Sequence, residues 1–323
     1  MKNRIKTQHE KAQGYFVLIV IINLSILAVM TTGIVIGVKG YISDTRSTYE
    51  TVSCCGSVCT KCLFTLCTLF TVLPWVCVAT LSVGVCKAAR RIFSMVYWNG
   101  HFISTGMAQS IHDHPEFKNI LHDERLGKQT IFIINNPLCC AFTAGLIDPH
   151  IYLSTAVCAR LTAKELLAVI LHELHHKINR IPLRLFILKI LCELNYFLPI
   201  NRSLLNLYTS ASEMAADDNV VNLSGEPVEL ASALVKLSQP ITAEKLFASA
   251  SFFGKQCETE NRIKRLLLPH EKLSTPGTFY FNMVSLSTLF VSTALCFPLF
   301  YQHQILPDTT ECMAHSCHTT VCK

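Results

Sequence analysis

The sequence predicts an α-helical integral membrane protein with an α+β domain held between transmembrane helices. Three observations predict it. Half of the 323 residues are hydrophobic, only 15% are charged, and mean hydropathy is +0.38, more apolar than an average soluble domain. Tyr15–Val38, Leu63–Val85 and Phe279–Tyr301 carry no charge, and each is long enough to cross about 30 Å of hydrocarbon as a helix. Between the second and third, short β-branched runs give way to helix-type patterns. The net charge of +6 gathers at the ends of the apolar stretches. That placement suits anionic headgroups, and no nucleic-acid-binding motif accompanies it.

Residues 1–14 form a basic start (Lys2, Arg4, Lys6, Lys11), followed by the first span, 15–38. That span is too long for a signal-peptide core and no small-residue cleavage pattern follows, so it reads as a retained anchor. Residues 39–62 form a loop, 63–85 the second span, 86–278 the central domain, 279–301 the third span and 302–323 a tail. Lys87, Arg90 and Arg91 follow span two, and Arg262, Lys264, Arg265 and Lys272 lead towards span three. By the positive-inside rule the N-terminus and residues 86–278 are cytoplasmic, while loop and tail lie outside. This is a multi-pass protein of a cytoplasmic membrane, of bacterial type, in contact with the lipid bilayer.

Among the 16 cysteines, Cys54, Cys55, Cys59 and Cys62 crowd the outer loop, and Cys312, Cys317 and Cys322 crowd the tail beside His315 and His318. The outer side permits disulfides. A disulfide or metal link between loop and tail is one reading and independent thiols the other, because connectivity is not readable from sequence. Cys139, Cys140, Cys158, Cys192 and Cys257 lack CxxC spacing and read as packed thiols.

Within the central domain, residues 92–128 read as a partly helical connector. Gln129–Pro137, Ala141–Leu146 and His150–Ser154 read as three short strands. Thr162 and Glu165 form a capping box that opens a helix. Pro182 predicts its end near Asn179–Ile181. Residues 183–200 are apolar but include Arg184, Lys189 and Glu193, which favours a helix buried in the domain or lying at the membrane surface over a fourth span. Further helices are predicted over about Ser203–Leu223, from Pro227, and around Glu258–Leu268.

The chemistry centres on His172-Glu173-x-x-His176. Residues four apart share a helical face, so both histidines can bind one Zn²⁺ while Glu173 faces the attacking water. A catalytic zinc needs a third protein ligand. The metzincin pattern would place glycine at 179 and histidine at 182, but Asn179 and Pro182 stand there. A later acidic helix supplies the alternative. Glu213 and Asp217 are one turn apart, Glu213 as third ligand and Asp217 as the acceptor that orients a ligating histidine. Ala215 and Ala216 between them leave room for two helices to approach. His175, about 100° round the helix, reads as structural.

HELHH followed by EMAAD resembles the gluzincin membrane metallopeptidases, HExxH…ExxAD. Of its branches, the peptidase domain of the β-lactam-sensing signal transducers and methicillin-resistance regulators is closer than the heat-shock and CAAX prenyl protease branch. Gly145, Pro149, Ile151 and Leu153 before the helix, Arg180 after the motif, and Asn195–Pro199 carry the likeness over about residues 129–220. Arg262–Leu266 is a weaker match. Ala216 replaces a frequent cysteine, Ile181 and Pro182 replace a usual acidic residue, and no penicillin-binding sensor domain follows 279–301.

The resemblance implies a zincin-like (gluzincin) metallopeptidase domain with one catalytic Zn²⁺ and a protein or peptide substrate. It also implies a substrate strand paired at a sheet edge, with 150–154 the strand chosen here. Tyr208, His175 and Arg262 are the candidates for an oxyanion donor. The leading function is an integral-membrane zinc endopeptidase with a regulatory, antirepressor-like role. The alternatives are a quality-control or maturation protease of the heat-shock/CAAX type, and a non-catalytic receptor that keeps the fold.

Overall fold

A computed structural model describes residues 2–47, 59–105, 109–238 apart from several positions within 115–138, and 252–268. The predicted span 279–301, the tail with Cys312, Cys317 and Cys322, and Cys54 and Cys55 lie outside the described residues. Two helices open the chain, α1 (Lys2–Ser47) and α2 (Cys59–Thr105). In α1, Thr7–Val35 is long and apolar enough to cross a membrane by length and composition. Val17, Leu18, Ile21 and Leu24 on α1 and Trp75, Val76 and Val83 on α2 are exposed. Side chains of this kind are placed at lower cost in hydrocarbon than in water. Pro74 lies inside α2 without ending it.

Among the described residues four strands follow, β1 (Gln109–Ser110), β2 (Ile131–Ile134), β3 (Ala141–Ala144) and β4 (His150–Ser154). Then come α3 (Thr155–Arg160), α4 (Ala163–Ile178), α5 (Ile181–Leu194), α6 (Pro199–Ser224), α7 (Pro227–Ser238) and α8 (Phe252–Leu267). The chain divides into two compact units. One contains the described parts of residues 1–19, 90–190 and 202–276; the other contains those of 20–89 and 191–201.

In the first unit the sheet order is β1-β2-β4-β3, with β2 and β4 parallel and the outer pairs antiparallel. β4 therefore has both edges filled, and the edge pairing expected of 150–154 cannot occur there. Among the described residues the outer strands are β1 and β3, and of these β3 lines the site cavity. Gly145 makes the turn that brings the chain back. Its φ is +115°, and a Cβ there would meet Asp148 O at 2.5 Å. On one face Ile131, Ile133, Ile151 and Leu153 join Leu166 and Ile170 of α4, Leu230 of α7 and Leu266 of α8 in a single core. Phe132, Tyr152 and Phe142 stand in register across three strands, with rings stacked 5.5 and 5.4 Å apart.

The motif helix α4 starts as predicted. Thr162 Oγ1 accepts from Glu165 N, and the Glu165 carboxylate accepts from Thr162 N at 2.8 Å. It ends at Ile178, where Asn179 Nδ2 donates to His175 O at 2.9 Å and Arg180 turns into the left-handed region at φ 50°. Pro182 then lies in the first turn of α5, where its missing N–H needs no acceptor. The break comes at the predicted place, and the proline starts the next helix as well as closing the last.

In the second unit, Asn23 of α1, Asn195 and Asn201 form a buried amide cluster. Asn23 Nδ2 donates to Asn201 Oδ1 and Asn195 Nδ2 to Asn23 Oδ1, both at 2.8 Å. Asn23 is fully buried in the uncharged, largely apolar stretch of α1, and hydrogen bonds offset the cost of placing an amide there. Gly84 of α2 lies against Leu194 O so closely that any side chain would collide.

Candidate metal centre

Three helices and one strand build the site, all within the first unit. His172 and His176 lie a turn apart on α4, both buried. Glu213 and Asp217 lie a turn apart on α6, and Ala215 and Ala216 beside them are buried too. Small side chains at that position let α6 carry its carboxylates up to the α4 histidines.

The His172 and His176 Nε2 atoms face each other at 3.1 Å. Glu213 Oε2 lies 3.3 Å from His172 Nε2, and Glu213 Oε1 lies 3.4 Å from His176 Nε2. Donors held about 2.0–2.1 Å from a tetrahedral ion stand about 3.3–3.4 Å apart. Two imidazoles and a carboxylate at this spacing therefore fit a divalent ion of zinc type. Asp217 Oδ1 lies 3.1 Å from His172 Nδ1, which leaves His172 Nε2 turned to the common point.

Arg262 of α8 closes the cluster. Its Nε and Nη2 donate to Asp217 Oδ2 and Oδ1 at 2.8 and 2.6 Å. Nη1 lies 2.8 Å from Glu213 Oε2 and Nη2 3.5 Å from His172 Nε2. Arg265 anchors the same helix through Asp218 Oδ2 and Met214 O. In the sequence Arg262 stands out as a basic flank of the third predicted span, as part of a weaker family match and as an oxyanion candidate; its grip on both α6 carboxylates has no signal there. Of the three oxyanion candidates only Arg262 lines the cavity at the site. His175 is buried, its ring 6.3 Å from that of His9, and Tyr208 is fully buried.

Electrostatics follow from these contacts. Burial alone would lower His172, but hydrogen bonds to Asp217 and Glu213 outweigh it and bring its pKa up to about 9. Burial would raise Glu213; the two histidines and Arg262 hold it well below the usual carboxylate range. Asp217 is likewise held down against burial by the Arg262 guanidinium. His175 is pushed down to about 3 by burial and by the neighbouring histidines, which fits a neutral packing residue.

Glu173 is buried and lines a cavity of about 490 Å³ together with His172, His176 and Glu213. Ala141–Ala144 of β3, with Gly145 and Leu146 just after it, line this cavity. Ile181, Pro182, Leu185 and Lys189 line it from α5, and Leu230, Leu234 and Leu237 from α7. Thr143 Oγ1 on β3 lies 2.8 Å from Glu173 Oε2 and 2.9 Å from Glu173 O. No sequence signal marked that threonine, since a lone hydroxyl in a strand is ordinary.

An acidic-histidine cluster of metal-ligating geometry, with a glutamate beside it in an apolar cavity and an apolar helix at the chain's start, has the make-up of a membrane-associated metallopeptidase. The chain belongs to the BlaR1 peptidase M56 family, which it matches over residues 5–266. No curated protein matches the chain.

Proposed function

We propose that the chain is an integral-membrane zinc endopeptidase in which His172, His176 and Glu213 hold one catalytic Zn²⁺. The observation that carries this reading is the pair of imidazole nitrogens 3.1 Å apart, each 3.3–3.4 Å from an oxygen of the Glu213 carboxylate, with Glu173 lining the same cavity. A zinc ion there would supply Lewis acidity towards the scissile carbonyl and lower the pKa of water to about 7.

The chain's own groups do the rest. Glu173 takes a proton from the attacking water and returns it to the leaving amine. Asp217 fixes the His172 ring through Nδ1. The outer edge of β3, which carries no strand among the described residues, offers main-chain groups to an extended peptide. Ala141, Ala144 and Gly145 are small and leave room for a second backbone. The apolar side chains of α5 and α7 exclude water from the reacting bond.

The basic flanks of the predicted spans support a cytoplasmic position for this domain in a multi-pass protein. The family match supports a regulatory, signal-transducing protease over one of maturation type. A non-catalytic receptor would be free to lose any of Glu173, both histidines or Glu213, and all four are present.

The test compares wild type with Glu173→Gln expressed in membranes, reading cellular protein termini by mass spectrometry and bound zinc by elemental analysis. Equal zinc and a set of termini found only with wild type is the expected result. Identical termini in both would overturn the peptidase reading.

A further inference from the structure

We infer that Thr143 is a positioning residue for Glu173: its hydroxyl anchors one carboxylate oxygen and leaves the other to exchange protons with the reactants. This rests on the peptidase reading above and deepens it. Thr143 is the third residue of β3, paired in register with Ile151 of β4, so its backbone is fixed by the sheet. From there Oγ1 reaches two atoms of the same glutamate, Oε2 at 2.8 Å and the main-chain O at 2.9 Å.

A hydroxyl has one proton to donate and lone pairs to accept with. From one place on the strand Oγ1 reaches both the side chain and the main chain of Glu173, so Thr143 holds that carboxyl group against β3. The proton taken from water is carried by Glu173 and passed to the leaving amine, and Thr143 neither gains nor loses one.

The geometry also ties substrate docking to the base. β3 is the strand whose outer edge an extended peptide can reach, and the threonine that grips Glu173 belongs to that strand. A peptide paired there is held by the same rigid element that aims the carboxylate, which is the preorganisation that general base catalysis needs.

The substitutions Thr143→Val and Thr143→Ser separate this role from a structural one. Valine keeps the shape and the β-branched preference for a strand but removes the hydroxyl; serine keeps the hydroxyl. The experiment uses the full chain in detergent, incubated with a mixture of peptides made by digesting a proteome. One peptide cleaved by wild type and spared by Glu173→Gln is then synthesised for kinetics, and zinc content is measured on every variant.

The expected result has four parts. Thr143→Val lowers kcat by about tenfold to a hundredfold, within what general acid–base catalysis contributes. KM stays within about twofold and zinc content is unchanged, and Thr143→Ser recovers most of the rate. If Thr143→Val keeps the wild-type kcat, or loses zinc in step with its rate, or if serine is as impaired as valine, the inference is overturned while the peptidase reading stands. If no peptide is cleaved in a Glu173-dependent way, the peptidase reading falls and the inference with it.

Discussion

Arg262 bears on two buried or half-buried carboxylates at once, so its removal leaves Asp217, 1% exposed, and Glu213 without their main counter-charge. Breaking a buried pair from one side costs about 3–5 kcal/mol, because the remaining charge stays desolvated. Arg262→Met is expected to lower the melting temperature of the chelator-treated protein by several degrees. Saturating zinc recovers part of the loss by binding the folded state and neutralising Glu213. Melting in detergent with and without zinc reads this; an unchanged melting temperature without zinc would contradict the pairing. At this scale, local spacing was legible and distance was not. His172, Glu173 and His176 declare themselves within five residues, and Glu213 with Asp217 within another five. Arg262 and Thr143 lie 45 residues from Asp217 and 30 from Glu173 along the chain. Only the fold brings them in.

Elements show the same division. The capping box at Thr162 and Glu165 and the strand at 150–154 appear where the residues predict, because hydrogen bonding at a helix start and β-branched patterning are local matters. Helix α6 starts at Pro199 rather than near 203, extending through residues whose polarity hid the first turn. The order of the sheet was not readable: β4 lies between β2 and β3 because its Ile151 and Leu153 are needed at the centre of the core.

Glu165 also ties α4 to α7. It accepts from Lys236 Nζ at 2.7 Å and Ser232 Oγ at 2.5 Å. Burial alone would raise its pKa, yet these bonds and Thr162 lower it to about 2, against 4.5 ordinarily. A depressed carboxylate stabilises the fold fully above its unfolded value. That contribution is lost as pH falls from about 4.5 towards about 2. Glu165→Gln is expected to lower the melting temperature at pH 7 and to narrow its gap from wild type as pH drops towards 2.5. An equal gap at both pH values would refute the assignment.

For the whole molecule, the apolar stretches were legible as membrane-length runs, and two of them lie in the single helices α1 and α2. Both helices extend well beyond the apolar stretch itself; hydropathy marks where lipid suits a helix and is blind to where its hydrogen bonding stops. The amide cluster of Asn23, Asn195 and Asn201 could not be anticipated, since each asparagine alone looks like a minor polar interruption. These scales meet where two helices bring two histidines and a glutamate to one point, the point proposed above to hold a zinc ion. With 16 cysteines in the chain, zinc content alone would not locate the ion. The most direct measurement is therefore the zinc-edge X-ray absorption spectrum of the purified protein. The predicted result is a shell of nitrogen and oxygen donors at about 2.0–2.1 Å with imidazole scattering, which disappears in Glu213→Ala. A shell dominated by sulfur at about 2.3 Å, or no zinc at all, would contradict it.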